Sequence, residues 1–252
     1  LSEAIGSTQT SCTFGRYDPD DAATGRVVIT YKYDDDAKGY AIVGTTAANS
    51  TMTFGSAVEF APHAQPAYMH GVWDSDSDRF VVVYQNKSTD STVANRTGIA
   101  RVGTVSAAGS SATVSFGTQN IFENAETYIG GMCFDSQRNK VVISYADDGD
   151  SDKGKAIVGT VDDTTISFGT PVVYSDADTT AANCAFDSNS NKVVIMFTAS
   201  GLKSIVGTVG GSGTDYTTIA FGTEVRIDYS TTTTNNLCAV FDSQNNKIFV
   251  NY

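Results

Sequence analysis

Basic side chains are scarce in this chain: 16 Lys and Arg stand against 28 Asp and Glu, giving a net charge of −12 and a pI near 4.4. Affinity for a phosphate backbone comes mainly from Lys and Arg that displace its counterions, so nucleic acid is not an expected partner. No apolar run reaches the roughly 18 residues a membrane-spanning helix needs, and membrane insertion is not expected. The two histidines, His63 and His70, lie in one short stretch, and no Gly-x-Ser-x-Gly elbow occurs. General-base and nucleophile chemistry is therefore left without its usual parts. Four cysteines occur with no Cys-x-x-Cys pair, which disfavours a zinc cluster. Low-complexity linkers and long charge blocks are missing too, so residues 1–252 are expected to form one domain.

What fills the chain is a single phrase written several times. Its clearest copy runs Phe134-Asp135-Ser136-Gln137-Arg138-Asn139-Lys140-Val141-Val142-Ile143, then Ala156-Ile157-Val158-Gly159-Thr160-Val161, then Ile166-Ser167-Phe168-Gly169-Thr170-Pro171-Val172-Val173. The aromatic-Asp pair that opens it falls at Tyr17, Trp73, Phe134, Phe186 and Phe241, in steps of 56, 61, 52 and 55 residues. A period of this size signals repeat architecture. Five units follow, at about 1–55, 56–117, 118–169, 170–222 and 223–252. The Val-Gly-Thr wording appears in only four of them, ending at Thr45, Thr104, Thr160 and Thr208, so the fifth unit is incomplete within this sequence. Ser2-Glu3-Ala4-Ile5 aligns with the segment that follows each Phe-Gly. A start partway through a unit, with no initiator Met, is expected of a processed chain or a fragment.

Within each unit, short runs rich in Val, Ile, Thr, Tyr and Phe alternate with clusters of Asp, Ser, Asn and Gly, the pattern of antiparallel strands and turns. Val141–Tyr145 and Val193–Phe197 are apolar on both alternating phases, which predicts strands covered on both faces. The repeated Asp, followed by Ser-Gln-Arg-Asn or a variant, suits a turn in which Asp bonds backbone two residues on and Asn takes a left-handed conformation. Gly in Val-Gly-Thr and Phe-Gly marks a bulge or a close approach of backbones. Together these predict an all-β fold, a five-bladed β-propeller of four-stranded antiparallel blades with the last blade incomplete. An open solenoid and a two-sheet sandwich are the rival architectures.

Repetition reports packing, so the segments that differ between units are the candidate functional ones. Two loop sets vary. One precedes the repeated aromatic strand (Phe60–His70, Phe122–Gly130, Tyr174–Asn183, Tyr229–Asn236); the other follows the second strand (Tyr33–Lys38, Gln85–Arg96, Ala146–Lys153, Thr198–Lys203). In the first set Tyr68 and Tyr128 stand at nearly the same place, and His63, His70 and Glu126, next to Ala125, lie close in sequence. These are the candidate ligand-binding residues, since Tyr with polar neighbours suits stacking on and hydrogen bonding to a sugar, although a Tyr can equally pack its own loop. Asp148, Asp150 and Asp152 come nearest to a calcium loop, because alternating Asp offers hard oxygen ligands. A solvated turn explains the same run without a metal, and no other cofactor is implied. Cys12, Cys133, Cys184 and Cys238 all fall on one equivalent strand, with Cys184 on the opposite phase from the rest. Buried free thiols are expected, with a disulfide as the alternative.

The wording from Phe134 to Tyr174 resembles repeats in structural and tail-fibre-like proteins of marine phages and metagenomes, and it covers essentially the whole chain. The resemblance implies an adhesive protein of a virion or other extracellular surface. The expected function is thus a non-enzymatic recognition module that binds a glycan or surface receptor. One alternative is a building block that forms a homo-oligomer or larger assembly by strand completion; another is a glycoside-active enzyme.

Overall fold

The computed structural model describes residues 10–17, 25–46, 51–62, 65–88, 94, 96–106, 109–211, 215–229 and 237–251. The described residues are strands and turns; the exceptions are two short 3-10 turns at Gly109–Ser111 and Asp148–Asp150. Among them no helix is long and apolar enough to cross a membrane.

The strands form one antiparallel sheet per repeat. Blade 1 holds β1 (Thr10–Tyr17), β2 (Gly25–Lys32), β3 (Gly39–Thr46), β4 (Met52–Phe54) and β5 (Val58–Ala61). Blade 2 holds β6 (Ala67–Asp74), β7 (Arg79–Gln85), β8 (Gly98–Ser106), β9 (Thr113–Phe116) and β10 (Asn120–Glu123). Blade 3 is made of β11 (Thr127–Asp135), β12 (Lys140–Asp147), β13 (Lys153–Asp162), β14 (Thr165–Phe168) and β15 (Val172–Asp178). Blade 4 follows with β16 (Ala181–Asp187), β17 (Lys192–Thr198), β18 (Leu202–Gly210), β19 (Thr218–Phe221) and β20 (Val225–Arg226). Blade 5 has β21 (Cys238–Asp242) and β22 (Lys247–Asn251).

Each full blade is four positions wide, as the sequence predicts, but its outermost position is split. β3 pairs with β4 through Gly44 opposite Phe54 and with β5 through Tyr40 opposite Glu59. The segment after Phe-Gly therefore closes its own blade.

Both glycines of the phrase are explained by what a side chain there would meet. A Cβ on Gly44, Gly103, Gly159 or Gly207 would press on the ring of Phe54, Phe116, Phe168 or Phe221 respectively, so the Val-Gly glycine is the seat for the Phe of the same repeat. A Cβ on Gly55, Gly117 or Gly169 would overlap the backbone carbonyl of Ala112, Thr164 or Thr217. Only glycine allows so close a backbone approach.

The chain makes two compact units, Leu1–Asn124 with Asp162–Thr165 and Ala125–Val161 with Ile166–Tyr252. In the first, β1 packs against β6, and Val28, Ala41, Val43 and Phe60 of blade 1 meet Phe80, Val82, Tyr84 and Ile99 of blade 2. In the second, β11 packs on β16 and β16 on β21. There Val142, Ala156, Val158 and Tyr174 of blade 3 bury Val193, Ile195, Phe197, Ile205 and Ile219 of blade 4. Each such side chain taken fully out of water contributes about 1.5–3 kcal/mol, and the near-identical wording of the units repeats that contribution. Every residue of β12 is buried, as its two-phase apolar pattern predicts.

Candidate functional site

The repeated Asp is a turn device at one end of each blade. Asp187 Oδ1 accepts the N–H groups of Asn189 (2.9 Å) and Ser190 (3.0 Å), while Oδ2 accepts the Ser190 hydroxyl at 2.6 Å. Asp74, Asp135 and Asp242 repeat the double backbone contact. Four residues on, Asp78, Asn139, Asn191 and Asn246 take the left-handed conformation, at φ between 54° and 59°. Asp and Asn adopt it at little cost. These bonds hold the Asp187 and Asp242 carboxyls below the usual carboxylate range; at Asp187 they outweigh burial, which acts the other way. The Asp-rich run from Asp74 to Asp78 belongs to this turn.

The opposite end of each blade carries both variable loop sets. Chain direction requires it: the loop into the first strand and the loop between the second and third strands emerge from the same end of an antiparallel sheet. In blade 3, Asp148 N–H donates to the Glu126 carbonyl at 3.0 Å and Thr179 N–H to the Asp152 carbonyl at 2.9 Å. In blade 4, Ile227 N–H donates to the Leu202 carbonyl at 2.8 Å.

Tyrosines gather at this end, beside charged groups. In blade 1, Tyr31 and Tyr40 are direct cross-strand partners and stack with centroids 5.9 Å apart, and Tyr33 meets Tyr40 edge-on at 6.3 Å. The Tyr40 hydroxyl donates to Asp36 Oδ2 (2.7 Å) and that of Tyr33 to Asp35 Oδ2 (2.8 Å). The Asp36 hydrogen bond, with burial, pushes Tyr40 up to about 12. Its hydroxyl therefore stays a donor throughout the physiological range. Lys38 bonds Glu59 at 2.7 Å, and that contact raises the Lys38 pKa. The variable loop Tyr33–Lys38 reaches only Tyr33 and leaves out Tyr31 and Tyr40; the legible signal is Tyr-x-Tyr ahead of an Asp run and a Tyr just after it, which a tight hairpin brings together.

In blade 2, Tyr68 sits in a bulge at the start of β6, between Ala67 and His70, with φ 49°. For a bulky residue this is an outlier conformation. The Lys87 ammonium lies 5.0 Å above its ring. His70, also in β6, pairs with Val83 of β7, and His63 lies outside the described residues. In blade 3, β11 carries a bulge between Ile129 and Gly131, and Tyr128 donates from its hydroxyl to Glu126 Oε1 at 2.7 Å. Tyr68 and His70 lie two residues apart in β6 of the first compact unit, and Tyr128 meets Glu126, next to Ala125, in the second.

Asp148, Asp150 and Asp152 do not converge as a ligand set. Among the described residues no group of three or more His, Cys, Asp or Glu side chains is gathered for a metal ion. Lysines meet the carboxylates instead. Lys155 bonds Asp147 at 2.6 Å and Asp150 at 2.9 Å, and Lys153 approaches Asp150 at 3.3 Å. The two lysines hold the Asp150 carboxyl below its ordinary range. Asp152 moves the other way, raised by burial first and then by the charges of Asp148, Asp178 and Asp147.

Cys133, Cys184 and Cys238 are free thiols. The first two are buried, as expected, and Cys238 is exposed. The opposite phase of Cys184, which on sequence set it apart, is what brings it to Cys133. Neighbouring blades turn opposite faces toward each other, and the two thiols meet in the core between blades 3 and 4, where the Cys184 contact and then burial push the Cys133 thiol well up. Cys12 has no described side chain.

No protein-family model matches the chain, and no curated protein matches it. Among solved structures, a Trypanosoma rangeli sialidase in complex with the inhibitor DANA is similar over 83% of this chain, at 15% identity and a TM-score of 0.44. The chain spans 37% of that protein's length.

Proposed function

We propose that the variable end of the blades is a non-enzymatic recognition surface that binds a glycan, in the setting of a virion or other extracellular structure. The observation that carries this reading is the repeated pairing of a half-exposed tyrosine with a charged partner at that end: Tyr40 with Asp36, Tyr128 with Glu126, Tyr68 with Lys87. A tyrosine ring offers an apolar face for the C–H side of a sugar, and a carboxylate is a strong acceptor for sugar hydroxyls. Backbone strain at Tyr68 adds support, because non-glycine residues held at positive φ concentrate at ligand-contacting positions. The resemblance of the repeats to tail-fibre-like proteins points to adhesion, and the acidic charge to a partner other than nucleic acid.

A glycan array probed with the whole chain tests the reading. Binding to a defined class of surface polysaccharide is expected, weakened about tenfold by Tyr40→Ala, Tyr68→Ala or Tyr128→Ala, which is about 1.4 kcal/mol per ring. Absence of binding to every polysaccharide overturns it, and so does sugar release from the bound glycan, which would make the chain an enzyme.

A further inference from the structure

Among the described residues, the lysines at the variable end stand beside carboxylates, with one exception. Lys38 bonds Glu59 at 2.7 Å, Lys155 bonds Asp147 at 2.6 Å, and Lys203 bonds Glu224 at 2.7 Å. Lys153 lies 3.3 Å from Asp150, and Lys32 lies 3.7 Å from Asp34. Lys87 is exposed and meets no carboxylate among the described residues; its ammonium stands 5.0 Å above the Tyr68 ring. The charges that act on it, Arg96 and then Lys32, are both positive. Cations are thus gathered at one rim of a chain whose net charge is −12.

The loop after β7 builds this arrangement. Asn86, which precedes Lys87, is fully buried. Its backbone N–H donates to the Thr97 carbonyl (2.9 Å), its side-chain amide donates to the Ala94 carbonyl (3.0 Å), and its Oδ1 accepts the Ser88 N–H (3.0 Å). The Arg96 N–H donates back to the Asn86 carbonyl. Lys87 and Arg96 are therefore fixed on facing sides of the loop base, each next to a member of one buried polar network. Lys32 ends β2, which packs on β6, and Tyr68 sits in the bulge at the start of β6. All four residues belong to the first compact unit. Tyr68 (φ 49°) and Arg96 (φ 66°) both hold left-handed backbone, a conformation that bulky residues keep only where their surroundings impose it.

We propose that Lys87, with the charges of Arg96 and Lys32, is the subsite for a single anionic substituent, a carboxylate or a sulfate ester, on an otherwise neutral glycan. The inference rests on the glycan-binding reading above and narrows it to acidic sugars. Burial and the two like charges press the Lys87 pKa down, and an anion set among the three cations relieves that repulsion. A charge-assisted hydrogen bond from the ammonium then holds it, while the Tyr68 ring steadies the ammonium from below. One charge on the ligand feels mainly this rim, because salt screens exposed charges more than about 8 Å away. A dense polyanion would instead meet the acidic surface as a whole.

An array of neutral, carboxylated and sulfated glycans, probed with the whole chain, tests the proposal. The best-bound oligosaccharide is then titrated beside its carboxyl-reduced or desulfated counterpart. Hits are expected among glycans with a lone charge, the charged member binding about tenfold tighter than its neutral counterpart. Inorganic sulfate should compete for the charged member, and added salt should shrink the preference. Lys87→Gln should erase the preference, whereas Lys247→Gln, exposed at the turn end, should keep it. Hits confined to carboxylated glycans make the substituent a carboxylate, and hits confined to sulfated ones make it a sulfate ester. Lys87 is exposed, so the variant should fold; if it does not, the two counterparts on the wild-type chain decide. Hits confined to neutral glycans, equal binding of the counterparts, or a preference that survives Lys87→Gln overturns the proposal and leaves the glycan reading standing. An array without hits overturns both.

Discussion

Gly169 and Gly222 follow the same Phe in the same phrase, yet one is a seat and the other an open ledge. Around Gly169 the Thr217 carbonyl occupies the space a side chain would need; around Gly222 that space is empty. The difference teaches what the repetition is for. The recurrent residues are a stacking code, read by whichever segment lies next, and the code carries no information about a ligand.

The comparison breaks most sharply by substitution. Gly169→Ala should cost about 3 kcal/mol in urea unfolding, since overpacking against backbone cannot relax through a rotamer. Gly222→Ala should stay within about 0.5 kcal/mol, as surface changes do. Equal losses would show that the glycine serves its own local backbone and not the stacking. Val158→Ala and Val206→Ala give a smaller contrast by the same method: about 2 kcal/mol at the buried site, from lost burial and the cavity left behind, and under about 1 kcal/mol at the exposed one. Similar values would mean that Val206 is covered in solution.

Titration sharpens the contrast between the two ends of the blades. Asp187 at the turn end has its folded pKa below the unfolded value, so its contribution is present above about pH 4 and lost as pH falls through the folded pKa. The melting-temperature gap between the wild type and Asp187→Asn should therefore shrink on acidification. Asp152 at the variable end is raised, so its charged form weakens the fold, and Asp152→Asn should stabilise the chain slightly at pH 7, with the gain fading in acid. Melting curves across pH that move in the same direction for both variants would contradict the assignment.

Much of the fold was legible in the sequence. The number of sheets follows from counting aromatic-Asp pairs, and the burial of β12 from apolar residues on both phases. The split outer strand was not legible, because nothing in the phrase says which strand the residues after Phe-Gly pair with. Nor was the meeting of Cys133 with Cys184, which needs the knowledge that adjacent sheets show each other opposite faces. The site was readable as a set of loops but less well as residues. Tyr68, His70, Tyr128 and Glu126 could be singled out by their departure from the repeat, whereas Tyr31 and Tyr40 join only once the register of β2 and β3 is fixed.

The central claim is that stacking and recognition are kept at different places on each blade. Hydrogen exchange with and without a bound glycan tests it most directly. Protection confined to the variable end, around Tyr33–Tyr40, Tyr68–His70 and Glu126–Tyr128, is the predicted result. Protection centred on the turns at Asp74, Asp135 and Asp187 would contradict it.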